Sequence, residues 1–188
     1  FDDKNNIIKE TYIEKDIRSL KEVGNLDGFT KSFELVCGQV AQLLNKSELG
    51  SAANLSFETL SKYLSILKNT FIVYLVEPYS ENIKKRIVKS PEIFVFDNGF
   101  ISLRQGFPNI QLLETSGLIG TYFENFIHNE IYKLLQNKIP YMNLCFYRTT
   151  DDAEIDLIID YRKKIIPIEI KWASKSKSMK LKTLKNFI

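Results

Sequence analysis

Apolar positions recur along this chain first at helical spacing and later in alternation, and the change of period divides it into elements. Residues 2–23 carry Ile8, Tyr12, Ile13, Ile17 and Leu20 at mostly helical spacing. They predict a helix ending near Gly24, a residue suited to the position after a helix. Asn25 to Thr30 reads as a linker. Phe33, Val36, Cys37, Val40, Ala41 and Leu44 then predict a helix from Lys31 to Leu44. Ser47 is the expected N-cap of a short helix, SELGSAA, with Asn54 and Leu55 as the turn after it. Ser56 caps a further helix, FETLSKYLSILKN, burying Leu60, Leu64 and Leu67. Three helices with a tight turn between the last two make a helix-turn-helix.

The period then shortens. TFIVYLVEPYS and PEIFVFDNG flank the basic turn ENIKKR and read as a hairpin, the wing of a winged helix. Phe57 to Asn69 would be the recognition helix, offering Ser56, Thr59 and Lys62 to DNA, and the wing would add Lys84, Lys85 and Arg86. Residues 99–117 form a linker with short helical pieces, punctuated by Gly99, Gly106, Pro108 and Gly117. Beyond it, GTYFENFIHNEIYKLLQNK predicts an amphipathic helix with Phe123, Phe126, Ile127, Ile131, Leu134 and Leu135 on its apolar side. Three strand-like runs follow, NLCFYRT, EIDLIID and KIIPIEIKW, and then a lysine-rich helical pattern. The expected organisation is a helical segment (1–30), a winged helix-turn-helix (31–98), a linker (99–117) and an α/β domain (118–188).

Charge changes this picture only locally. The formal net charge is +3, with a pI near 8.7. The positive residues gather at 84–89 and again from Lys171 onward, with no acid after Glu169. Localised positive charge is the usual footprint of a polyanion site. Cys37 and Cys145 lie far apart with no CxxC, as for buried thiols in a reducing compartment. No apolar run is long enough to span a bilayer, and the opening residues are not a signal peptide. A cytoplasmic protein is expected.

The candidate chemistry lies in AEIDLIIDYRKKIIPIEIK, residues 153–171. Charges on otherwise apolar strands are departures from local pattern of the kind that mark functional sites. Asp156 falls on the first strand; Glu169 and Lys171, two apart on the second, should share a face. With Glu124 from the preceding helix, the acids suit a hard cation such as Mg²⁺ or Mn²⁺, helped by the backbone carbonyl of Ile170. Such an ion polarises a phosphodiester and acidifies bound water. Lys171 would orient that water or stabilise the charge developing on phosphorus. Glu124, Asp156 and Glu169 are thus the candidate metal ligands, and Lys171, Glu169 and Asp156 the candidate catalytic residues. His128, four residues after Glu124, is expected to be structural. Trp172 is expected in the core or at its rim, and Arg148 to pair with Asp151 or Glu154.

YFENFIHNEI, FYRTTDDAEIDLII and IIPIEIKW resemble the PD-(D/E)xK nuclease-like superfamily. The motif acids would be Asp156 and Glu169, the lysine Lys171 and the helix acid Glu124. With ETLSKYLSILKNTFIVYLVEPYSENIKKRIVKSPEIFVFDNG and SGLIGTYFENFI, the chain from about Lys9 onward resembles a C-terminal region of unknown function. That region follows AAA-type ATPase domains in bacterial and archaeal proteins. The resemblance implies a winged helix followed by a restriction-endonuclease-like domain, lacking its last strand because the sequence stops at Ile188. It also implies DNA as partner and an ATPase domain in the same full-length chain. No GxxxxGK[ST] phosphate loop occurs in these residues. The function implied is metal-dependent phosphodiester hydrolysis. The alternative is a catalytically inactive DNA-binding, regulatory or protein-interaction module of that ATPase.

Overall fold

The structure is a computed structural model, described here for residues 23–80, 90–139, 141–149, 153–161, 164–173, 184 and 187. The expected N-terminal helix, the wing residues Lys84, Lys85 and Arg86, and most of the lysine-rich C-terminal pattern lie outside the described residues. Those residues form a mixed α+β fold of six helices around one six-stranded mixed sheet.

In chain order the elements are α1 (Leu26–Gly38), β1 (Gln42–Leu43), α2 (Lys46–Ala53), α3 (Phe57–Asn69), β2 (Val73–Pro78) and β3 (Glu92–Val95). They continue as α4 (Asn98–Gln105), α5 (Ile110–Thr115), α6 (Ile119–Lys138), β4 (Asn143–Arg148), β5 (Glu154–Tyr161) and β6 (Lys164–Ile168). The sheet order is β1-β3-β2-β4-β5-β6. β2 and β3 form the expected antiparallel hairpin. The far end of β2 runs parallel to β4 through Glu77 and Pro78, and this pairing joins the strands of the two halves into one sheet.

Local capping explains where the expected boundaries shift. α1 begins five residues earlier than the apolar spacing suggested, because the Asn25 side chain accepts the Gly28 N–H at 3.0 Å and starts the helix there. It ends at Gly38, so Val40 is buried from a turn and Leu44 from the residue after β1, rather than from helix. The cap of α2 is Asn45, not Ser47: its side chain accepts the Glu48 N–H at 3.1 Å. Asn54 closes α2 in the left-handed conformation, at φ 58°. Ser56 caps α3 as expected, accepting the Thr59 N–H at 3.2 Å. The 99–117 stretch carries α4 and α5, and inserts Ile101 and Leu113 into the main core with Phe29, Phe33, Leu60, Leu67 and Ile93. Cys37 and Cys145 are buried thiols, and burial pushes Cys37 up to about 12. No helix of the described residues is long and apolar enough to cross a membrane.

α6 departs from expectation in which face it buries. Its inner face carries Tyr122, Asn125, His128, Asn129 and Leu135, while Phe126 and Leu134 are 49% and 52% exposed. The reason is backbone hydrogen bonding. β1 covers β3 only as far as Ile93, so the Val95 peptide groups on that side lack a strand partner. α6 supplies side chains instead. The Val95 N–H donates to Asn125 Oδ1 at 3.1 Å, and the Val95 carbonyl accepts from Asn125 Nδ2 and Asn129 Nδ2, each at 2.8 Å. His128 completes the face, stacked on Phe94 and bonded through Nδ1 to the Tyr74 hydroxyl at 3.0 Å. Burial pulls its pKa down to about 3, which keeps it neutral.

Asn125→Ala therefore leaves a buried N–H unpaired and removes one of two donors from a carbonyl. The expected loss is about 2 kcal/mol of unfolding free energy, read by urea denaturation. A loss no larger than that of the exposed Lys62→Ala would overturn this role.

Candidate metal and phosphodiester site

β5 lies between β4 and β6, and Ile155, Leu157 and Ile158 are fully buried. Asp156 is in that run and only 4% exposed, a position where a carboxylate needs partners. It finds one by ending a ladder. β6 pairs with β5 as far as Leu157 opposite Ile168. At the next step the Ile170 N–H donates to Asp156 Oδ2 at 2.6 Å. Glu169 and Lys171 thus lie just beyond β6 rather than on it, as the sequence had placed them. The side-chain acceptor takes the N–H that a continuing ladder would use.

Lys171 joins the two acids. Its Nζ is 2.9 Å from Glu169 Oε1 and 3.5 Å from Asp156 Oδ2, while its side chain stays 49% exposed. Burial disfavours the Lys171 ammonium, but the Glu169 bond and the Asp156 charge hold its pKa above the ordinary value. Burial raises the pKa of Asp156, against the lowering effect of the Ile170 N–H. Glu124, on the second turn of α6, is half-buried and feels the Asp156 charge. Burial first, then Asp156 and Glu154, push it up to about 8 despite Lys171 and Arg148.

A further acid joins the group. Glu92, at the start of β3, is 2% exposed. Burial pushes it up to about 8; Arg148 opposes the shift, and Glu124, Glu154 and Asp156 add to it. Arg148 bridges two acids, lying 3.6 Å from Glu92 Oε1 and bonding Glu154, one of its two expected partners. The sequence did carry a signal for Glu92. It stands in PEIFVF as Asp156 stands in EIDLII, a charge in an apolar strand.

The structure therefore brings Asp156, Glu169 and Lys171 into direct contact and places Glu124 within electrostatic reach. Among the described residues, no three His, Cys, Asp or Glu side chains gather closely enough to hold a metal. The donor set fits a hard cation that keeps much of its water and takes one or two carboxylates, rather than a closed cage. Ser56, Thr59 and Lys62 lie on α3, away from these acids in the sequence and joined to one another only locally. Ser56 and Lys62 are exposed, and the Ser56 and Thr59 hydroxyls are 3.1 Å apart. Trp172 is half exposed and packs edge-on against Phe123 at 5.2 Å.

Residues 3–111 match the model of a domain of unknown function, DUF8612, and residues 119–188 match a second, DUF4143. Uncharacterized proteins of Mycobacterium tuberculosis and Mycobacterium bovis are each 27% identical over 164 residues, covering 87% of this chain and 36% of theirs. The chain thus spans about a third of the length of these curated relatives. No solved structure matches it.

The raised acids set a pH dependence. Glu92 and Glu124 bind protons in the folded state up to about pH 8 but lose them near 4.5 when unfolded. Their contribution to stability is complete below about pH 4.5 and is lost as pH rises through about 8. Glu92→Gln should remove part of that fall, on the order of 3 kcal/mol across the window. Urea midpoints measured from pH 5 to 9 read the effect, and parallel profiles for wild type and variant would refute it.

Proposed function

Because the chain belongs to the family of the domain of unknown function DUF8612, whose model covers more than half of it, the name supplies no activity. We propose instead from the site that it is a divalent-metal-dependent nuclease region, hydrolysing phosphodiesters as part of a longer protein that also holds an AAA-type ATPase domain. The observation that carries this reading is the contact of Asp156 and Glu169 through the Lys171 ammonium, with the Ile170 peptide held by Asp156. This is the arrangement expected of a PD-(D/E)xK site.

In this reading Asp156, Glu169 and Glu124 would hold Mg²⁺ or Mn²⁺, helped by the Ile170 carbonyl. The ion, when bound, polarises the phosphodiester and acidifies a water. The chain's own residues do the rest. Lys171, anchored by Glu169, offers its exposed ammonium to the phosphate and offsets the charge that builds on it. The Ile170 N–H, donating to Asp156 Oδ2, holds the Asp156 carboxylate in place. Protonated Glu124 and Glu92 limit acid repulsion around the phosphate until a cation replaces those protons, so affinity for the cation should rise with pH.

DNA contact fits the first half of the chain. The order of α1, β1, α2, α3, β2 and β3, with the β1-β3-β2 sheet, supports reading this half as a winged helix that contacts DNA through Ser56, Thr59 and Lys62. One observation favours the second reading, a catalytically inactive DNA-binding or regulatory module. Lys171 already pairs with both motif acids, and no cation-holding triad of acids gathers among the described residues.

Incubation with single- and double-stranded DNA in Mg²⁺ or Mn²⁺ tests the first reading. Asp156→Ala and Lys171→Met should each cut at least about 100-fold more slowly than wild type. Equal residual cutting by wild type and Asp156→Ala would exclude the nuclease. Binding that weakens steeply with salt, without cutting, would favour the inactive module.

A further inference from the structure

The elements that bear the acids also bear a cluster of aromatic rings one residue away. On α6, Phe123 immediately precedes Glu124; after β6, Trp172 immediately follows Lys171. Both rings face a groove of about 710 Å³, which is also lined by Phe107, Leu113, Tyr122 and Phe126. That volume falls within the roughly 300–1,000 Å³ usual for small-ligand sites. Phe126 and Trp172 leave about half their surfaces open, at 49% and 50%. Phe126 is left outside because the polar Asn125–His128–Asn129 face has taken the inside of the helix.

We propose that this groove is a stacking subsite for an unpaired nucleobase next to the phosphate handled at Asp156, Glu169 and Lys171, so that the chain acts on single-stranded or frayed DNA. The proposal rests on the nuclease reading for its phosphate and on the groove for its base. A base hangs one sugar away from its phosphate, and here the phosphate-facing and ring-facing side chains are consecutive on two separate elements. A paired base cannot enter, since its faces are covered by its neighbours in the duplex. Stacking on aromatic faces tolerates any base. The polar groups at the groove fit that tolerance. Asn98 Oδ1 accepts from Asn125 and Asn98 Nδ2 donates to the Tyr122 carbonyl, while Asn109 Oδ1 accepts the Leu112 N–H. Those atoms serve the fold rather than reading base edges.

Trp172 is the one tryptophan of the chain, so its fluorescence reports the groove directly. The chain is titrated, without divalent cation, with a short single-stranded oligodeoxynucleotide and with a closed duplex dumbbell whose loops are abasic. The single strand should quench Trp172 emission and the dumbbell should not. Phe126→Ala, at an exposed position, should weaken single-strand binding roughly 10-fold by anisotropy, with unchanged circular dichroism. Trp172→Phe should retain most of the affinity. Single-strand binding without quenching, or equal quenching by both probes, overturns the subsite; so does an absence of binding, as expected if a protein segment covers the groove. Because no cleavage occurs in this assay, quenching without nuclease activity elsewhere would keep the subsite and reject the nuclease. Cleavage without quenching would do the reverse.

Discussion

The Asn125 amide on the Val95 peptide is the contact on which the rest of the arrangement depends. β1 is two residues long and leaves the end of β3 without a neighbour. A buried unpaired peptide is costly, and α6 meets that need with two asparagines rather than a strand. Once Asn125 is fixed on Val95, Glu124 follows into the space near Glu92, three residues back along β3. The parallel β2–β4 pair brings β5, and with it Asp156, to the same side. Acids far apart in sequence, 92, 124 and 156, therefore share one electrostatic field through a backbone hydrogen-bonding constraint.

That field is unbalanced. Among the described residues, Glu92, Glu124, Glu154, Asp156 and Glu169 face Arg148 and Lys171 as cations. The buried carboxyl groups of this set cannot all stay ionised without strong repulsion, whereas Glu154 stands in water, 45% exposed. Burial first, with the neighbouring acids adding to it, pushes Glu92 and Glu124 up to about 8, so protons settle part of the excess. A divalent cation would settle it differently, by releasing those protons. The two cations are placed unequally. Arg148 is tied to the most buried acid, Glu92, and to Glu154, which suits a structural role. Lys171 keeps half its surface in water and can turn toward a ligand.

The features legible in the sequence were those governed by local rules. Ser56 caps α3, whose bounds Phe57 and Asn69 followed from its apolar spacing and that cap. Asp156 stood out because a charge interrupted an apolar strand. The features missed depend on partners distant in sequence. Nothing near α6 says that its inner face must be polar, because the demand comes from the short β1. Phe126 and Leu134 were assigned to the core by hydrophobicity alone, and helical period does not reveal which of two possible faces a sheet will take. The end of β6 was misplaced because the Asp156 side chain, not a strand residue, receives the Ile170 N–H. Glu92 obeyed the same rule as Asp156 but lay in a segment read as a DNA-binding hairpin, where a buried acid had no assigned purpose.

Electrostatics also bears on the choice between the two proposed readings. A surface built only to hold DNA gains affinity from positive charge and loses it with every carboxylate near the phosphates. Here, among the described residues, the acids outnumber the bases, and the group is centred on a strand that is otherwise largely apolar. Replacing a buried charged group by packed apolar side chains is often neutral or stabilising, so stability alone does not account for five acids at one place. A phosphodiester approaching this group meets net repulsion unless a cation accompanies it, whereas Ser56, Thr59 and Lys62 on α3 impose no such condition. On the proposed nuclease reading, the acid cluster is the place where cation and phosphate would arrive together, and α3 would hold the nucleic acid elsewhere. An inactive descendant of such a site would keep the acids only as long as protons and Lys171 continued to neutralise them.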